Sequence, residues 1–344
     1  MKSPLEIIRT LKRGPTDVVG LDIGSASVRA VRIRKNNDTL TVTAVDILER
    51  PVQAGNEAEE HPLPTLDLPS HVKARYASLA VDSSEAIVRL LTLPGKSEAD
   101  LDTRVIDSLG LENPDDYRIS YKVLADGATR SETRVVAVAY PDTLATDSIA
   151  MLPTTGTPAP YSLEVSGLAT MTTFMNGPVT ARESDTLGLI DFGETSSLFA
   201  FFHKGSPALI RKLDRGTNAL LDKVEAMLGV DRETAIGIIS DGSFDISPAA
   251  TEVLQPLVRQ ILVSRDFVER RESCKVDAVY LAGGLAVSRD AQNEIGGAMG
   301  IPVESWNPFS GLNMAADAMP DKFAGLEWRF AAALGACLAT FEES

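Results

Sequence analysis

The chain is short of cysteine, histidine and positive charge. Its 344 residues hold two cysteines and three histidines. Cys274 and Cys337 sit in helical, apolar-leaning contexts and read as buried free thiols, which suits a reducing cytoplasm. His61, His71 and His203 have no metal-ligand spacing. Lysine and arginine total 33 against 48 acidic residues, a net charge of −15. That balance argues against general affinity for nucleic acid or anionic lipid. No apolar run approaches a membrane span, and no signal-peptide pattern is visible. The length fits two domains, and 44% apolar residues supports sizeable cores.

What is present centres on Val18 to Ile33, VVGLDIGSASVRAVRI. An apolar run leads into Asp22-Ile23-Gly24-Ser25, and alternating apolar residues resume after Ser27. The pattern predicts a buried strand, a tight turn and a second strand. Gly24 lets the backbone approach a ligand, and the N–H groups of such a turn can hold an anion. Asp22 ends the strand where a carboxylate can hold a metal ion or its waters. Alone, this pattern reads equally well as an ordinary hairpin.

A second copy shifts the balance. Leu187 to Phe202 reads LGLIDFGETSSLFAFF, so Asp191-Phe192-Gly193-Glu194-Thr195-Ser196 lies over Asp22 to Ser27. Each copy is followed by a further strand, Thr39 to Leu48 and Pro207 to Leu213. Two copies more than half a chain apart predict two similar domains. A third element is the strand Val276 to Leu281, which runs into Ala282-Gly283-Gly284 and a helix from Val287 to Met299. Glycines at a strand-to-helix turn admit a flat ring or a phosphate.

With these three elements the sequence resembles the actin, Hsp70 and hexokinase superfamily. The resemblance implies an α/β, actin-like (ribonuclease H-like, duplicated) two-domain fold. It also implies that two Asp-x-Gly hairpins grip nucleotide phosphates in an interdomain cleft, while a Gly-Gly turn borders the adenosine.

The remainder of the chain narrows this. Met1 to Arg13 is a short basic amphipathic segment. It reads either as a weak membrane contact or as a terminal helix that is packed or frayed. Arg50 to Ser70, with four prolines and Glu57, Glu59 and Glu60, reads as a linker. Arg75 to Ala150 predicts a small α+β unit of about four strands and two helices, including a helix capped by Ser97. Leu152 to Pro160 reads as a loop and Ser162-Leu163-Glu164 as the lead into a helix ending near Phe174. Helices follow at 216–228, 233–240, 248–271 and 327–340. The expected segments are 1–16, 17–70, an inserted α+β subdomain at 71–151, a return to the first domain at 152–185, a second domain at 186–325, and a C-terminal helix at 326–344.

A subdomain inserted in the first half is the arrangement of FtsA and of PilM, a type IV pilus assembly family. Arg89 to Pro94, Tyr117 to Leu124, Arg134 to Ala139, and Ile301 to Glu304 with Asn307-Pro308-Phe309 resemble PilM pieces in order and spacing. This covers nearly the whole chain. Three departures fall on the adenosine side and before one helix. Leu285 stands where a third glycine is usual. Thr234-Ala235-Ile236 and Ile239 stand where Glu-Ala-Glu and Lys are usual. Ser162-Leu163-Glu164 replaces Asp-x-Glu.

The resemblance implies a cytoplasmic adaptor, peripheral to the inner membrane, that binds Mg-ATP and the N-terminal peptide of a PilN-type partner. The peptide would meet segments within Val18–Leu48 and Tyr76–Ala139. Asp22 and Asp191 would orient Mg2+ through water. Gly24, Ser25, Ser27, Gly193, Glu194 and Thr195 would hold phosphates, and Gly283 and Gly284 would border the base. Glu164 is read either as positioning an attacking water or as a helix N-terminal charge. Leu285 and the two isoleucines predict nucleotide binding weaker than is usual in the family or absent, and any hydrolysis is expected to be slow. The alternatives are the same adaptor with a degenerate nucleotide site and a small-molecule kinase, for which no base is evident in the first half.

Overall fold

Two apolar hairpins of the same pattern each nucleate a sheet. The computed structural model describes residues 14–25, 27–51, 64–95, 100–124, 132–304 and 306–342. The basic segment Met1 to Arg13, the acidic cluster of the expected linker, and the Ser97 cap lie outside the described residues. The chain splits into two compact units, one of residues 1–81, 146–178 and 306–344, the other of 82–145 and 179–305.

In the first unit, strands β1 (Asp17–Ile23), β2 (Ser27–Asn36) and β3 (Thr39–Glu49) form an antiparallel meander. Then β4 (Tyr76–Val81) and β8 (Ala159–Val165) add parallel to β1, and the short β14 (Asn313–Met314) closes the other edge. Val18, Val31, Ile33, Val45, Phe330 and Leu334 share one core. The C-terminal helix, Ala331–Glu342, is buried along nearly its whole length, which explains its run of small residues. It lies on β1 at Gly20, where an added Cβ would overlap the carbonyl oxygen of Ala333. It also meets the helix Ser166–Phe174, because Gly335 leaves room for the carbonyl of Ala169. Removing both side chains at these crossings brings backbone to backbone.

In the second unit, β9 (Thr186–Phe192), β10 (Ser197–His203) and β11 (Ser206–Leu213) repeat the meander. Strand β12 (Ala278–Gly283) adds parallel to β9, followed by β13 (Val303–Glu304). β9 is buried at every residue, as a central strand covered on both faces must be. Its core includes Phe192, Phe199, Leu220, Val258 and Ile261. The inserted residues form a separate sheet of three strands, β5 (Ile87–Pro94), β7 (Glu132–Pro141) and β6 (Tyr117–Val123), in that order. The expected fourth strand, Tyr76–Val81, instead pairs with β1.

Numbered in chain order, the helices are α1 (Leu101–Leu109), α2 (Asp142–Ala150), α3 (Ser166–Phe174), α4 (Thr217–Leu228), α5 (Arg232–Asp241), α6 (Ser247–Glu272), α7 (Arg289–Met299) and α8 (Ala331–Glu342). Gly229 and Gly242 end α4 and α5 in the left-handed conformation, as glycine does at such positions. The loop expected through Pro160 stops earlier, because Ala159 to Val165 is a strand. A single turn of 3-10 helix, Glu327–Phe330, precedes α8 where one continuous helix was expected.

Candidate functional site

Asp22, the next-to-last residue of β1, faces Arg29 across the hairpin, in register. The Arg29 guanidinium stands 3.5 Å from its carboxylate, and the Ser166 hydroxyl, at the start of α3, donates to it at 3.1 Å. The turn itself is closed by the Gly24 N–H donating to the Ser27 carbonyl at 3.1 Å. Ser25 is exposed at its tip, and the Gly24 carbonyl accepts from Arg50 at 3.0 Å. The first Asp-x-Gly acid is therefore half-buried beside a cation, an arrangement that offsets its charge before any ion arrives.

Glu164 lies on β8 in register with Ala80, not at a helix N-terminus. Val165 occupies the capping position of α3, with no side-chain cap. Glu164 thus sits in a strand that ends at Val165, where the sequence pattern gives a loop and the lead into a helix.

The second hairpin is built tightly. Thr217 N–H, at the start of α4, donates to the Gly193 carbonyl at 2.9 Å, and Asn218 N–H donates to the Glu194 carbonyl at 3.0 Å. Gly216 makes this possible, because a Cβ there would lie 2.5 Å from Glu194 and Gly193 backbone atoms. Two of the N–H groups that the start of a helix leaves without partners within it are thus spent on the hairpin itself. Asp191 is buried, 6% exposed.

The decisive residue was not singled out from the sequence. Asp82 follows β4, and its carboxylate lies in the second turn. One oxygen accepts from the Thr195 N–H and from the Thr195 hydroxyl, each at 3.1 Å. The other accepts from the Ser196 hydroxyl at 2.6 Å. Gly193 leaves the room for it, since an added Cβ would stand 2.9 Å from that carboxylate. The only signal in the sequence is an acid directly after a strand and before Ser83-Ser84.

Gly283 and Gly284 have a packing role. Gly283 has φ +74, and a Cβ on it would overlap the Phe192 carbonyl and stand 2.8 Å from an Asp191 carboxylate oxygen. A Cβ on Gly284 would stand 2.8 Å from the Thr217 hydroxyl. The pair joins β12 to the second turn through the Gly284 N–H and the Phe192 carbonyl, 2.9 Å apart. A cleft of about 560 Å³ opens beside Glu194 and Thr195, walled by Arg215, Asn218, Asp222 and Lys223, and neither glycine of the pair lines it.

Two of the departures on the adenosine side also read differently in three dimensions. Leu285 is 1% exposed and packs into the core of the second unit. Ile239 is 5% exposed and belongs to the same core, while Ile236 is half exposed on α5. The thiols differ too: Cys337 is buried, but Cys274 is only partly so.

Among the described residues no group of three or more His, Cys, Asp and Glu is placed to hold a metal, and no helix is long and apolar enough to cross a membrane. A phosphate does not fit the second turn as it stands, because its side-chain hydroxyls and the Thr195 N–H already serve a carboxylate.

No protein of curated function matches the sequence. Among solved structures, the chain is similar to a PilM-PilN type IV pilus biogenesis complex, with a TM-score of 0.75 at 18% identity over 94% of this chain and 98% of that one. More distant are ethanolamine utilization protein EutJ from Carboxydothermus hydrogenoformans and MreB 5 of Spiroplasma citri. EutJ has a TM-score of 0.42 at 13% identity over 95% and 90% of the two chains. MreB 5 has a TM-score of 0.44 at 11% identity over 96% and 98%. The fold is actin-like. The family model described as type IV pilus assembly protein PilM matches residues 20–341. Nearly the whole chain, from within β1 to within α8, is thus accounted for, and the chain belongs to the PilM family of type IV pilus assembly proteins.

Proposed function

We propose that the chain is an adaptor of type IV pilus assembly that holds the cytoplasmic N-terminal peptide of a PilN-type inner-membrane partner. In this reading it works at the membrane's inner face without spanning it. The match to the PilM family over residues 20–341 carries the reading. The similar solved structure is a complex of PilM with PilN, which supports the choice of partner. The peptide would meet segments within Val18–Leu48 and Tyr76–Ala139, where strand edges can add backbone hydrogen bonds and apolar pockets add selectivity. The net charge of −15 suits a peptide carrying Lys or Arg and would mainly speed encounter.

Nucleotide is a secondary ligand in this reading, weakly held and at most slowly hydrolysed. Asp22 engaged by Arg29, and Asp82 in the second turn, support weak binding over the ordinary ATP-binding adaptor. Mg-ATP, if taken, would still use Asp22 and Asp191 toward the metal. The turns at Gly24-Ser25 and Gly193-Glu194-Thr195 would face the phosphates.

The test is a fluorescence titration of the folded chain with the cytoplasmic N-terminal peptide of a PilN-type membrane protein from the same organism, with and without ATP. Saturable binding in either condition is expected. Its absence in both would end the adaptor reading.

A further inference from the structure

We propose that Asp82 is a specificity-determining residue: its carboxylate stands in for a phosphoryl oxygen in the second Asp-x-Gly turn and excludes polyphosphate ligands while it is there. The proposal rests on the reading of that turn as the chain's phosphate-facing element.

A phosphoryl group bound at such a turn takes what an oxyanion needs, backbone N–H groups and hydroxyls converging on one point. Here the convergence exists and is used. Thr195 N–H, Thr195 Oγ1 and Ser196 Oγ all donate to Asp82, at 3.1, 3.1 and 2.6 Å. Three donors on one carboxylate, one of them short, is the pattern of a held anion and not of a passing surface contact.

Gly193 is the second observation. It does not take up the left-handed backbone, so its lack of a side chain is not explained by turn geometry. It is explained by space: a Cβ would stand 2.6 Å from the Ser196 carbonyl and 2.9 Å from Asp82 Oδ2. The Asp-x-Gly glycine thus makes room here for an internal carboxylate.

The charge argument gives the direction. A phosphate entering the turn must displace three hydrogen bonds and then sit beside a carboxylate of like sign. Both effects oppose binding. Neutralising residue 82 removes the like charge, and removing the side chain also frees the donors. The neighbouring cleft beside Glu194 and Thr195 remains in either case.

The test uses the full chain as wild type, Asp82→Asn and Asp82→Ala. Each is titrated calorimetrically with ATP, with inorganic tripolyphosphate and with adenosine. Asn keeps the size and the acceptor oxygen, so it guards against a loss of fold, and each sample's thermal unfolding is recorded alongside. We expect both variants to bind ATP and tripolyphosphate on the order of tenfold to a hundredfold more tightly than wild type, with adenosine unmoved. Equal or weaker polyphosphate binding in a folded variant overturns the proposal. So does an equal gain for adenosine, which would mean a general opening and not a lifted exclusion, and so does a lack of polyphosphate binding in all three proteins. The pilus peptide is titrated on the same samples. Peptide binding without a polyphosphate gain leaves the adaptor reading standing and removes this inference, and the reverse pattern does the opposite.

Discussion

Arg29 and Asp22 face each other across the first hairpin, Nη1 to Oδ2 at 3.5 Å, in register on adjacent strands. The pair is half-buried, and it ties the acid expected to orient a metal to a cation of the same sheet. A wild-type chain should therefore bind Mg-ATP weakly. By calorimetry we expect a dissociation constant in the upper micromolar range or above, and a further loss in Asp22→Ala and Asp191→Ala. A sub-micromolar value, or two alanine variants with unchanged affinity, would show that these acids do not serve nucleotide.

Gly335 is irreplaceable for a different reason. A Cβ there would overlap the Ala169 carbonyl where α8 crosses α3. Gly335→Ala should destabilise the chain by roughly 1–3 kcal/mol in urea unfolding, because well-packed backbone has nowhere to move. Gly237 on α5 has nothing within 4 Å of its Cβ position. Gly237→Ala should leave stability unchanged or raise it by about 0.5–1 kcal/mol. A similar loss in both would mean that the helix crossing does not set the cost.

The Asp17 carboxyl is raised by burial, but two hydrogen bonds from Arg32 at 2.8 and 2.7 Å and the charge of Arg34 outweigh that and hold it below its ordinary 3.8. A carboxyl depressed in the folded state adds stability above its unfolded value. That addition is lost as pH falls through the folded value. The stability gap between wild type and Asp17→Asn, measured in urea, should be constant from pH 7 to about pH 5. It should narrow below about pH 4. A gap independent of pH across this range would remove Asp17 from the acid response.

Burial pushes the Cys337 thiol well above its usual value, and its sulfur lies 3.3 Å from the Val31 carbonyl in the first core. A thiol so held is not a thiolate at neutral pH. In the native chain, a thiol reagent at pH 8 should modify Cys274 first, with Cys337 reacting only as fast as the first unit opens. Two thiols titrating together in native buffer would contradict the burial of α8.

Much of the fold was legible in the sequence because its signals are local. The two Asp-x-Gly hairpins, Asp22 to Ser27 and Asp191 to Ser196, announce themselves by apolar alternation around a polar turn, a pattern fixed by the pleat of a strand. Helices α4 to α6 are legible as helical segments near 216–228, 233–240 and 248–271, within a few residues of where they lie. The order of these pieces pointed to the PilM family, to which the chain belongs.

What the sequence could not settle was every relationship made at a distance. Tyr76–Val81 reads as part of the insertion because it precedes Ile87–Pro94, yet its backbone pairs with β1, and pairing partners are not encoded in a strand's own pattern. Glu164 reads as the lead into a helix until β4 extends β8 through it. Leu285 and Ile239 read as losses from a ligand site and prove to be core. Asp82 shows locally only that an acid follows a strand, because the donors it meets stand more than a hundred residues away and are brought to it by tertiary folding. Sequence alone determined the repeated hairpins and the acids within them. Only the tertiary structure decided which charges those hairpins already hold.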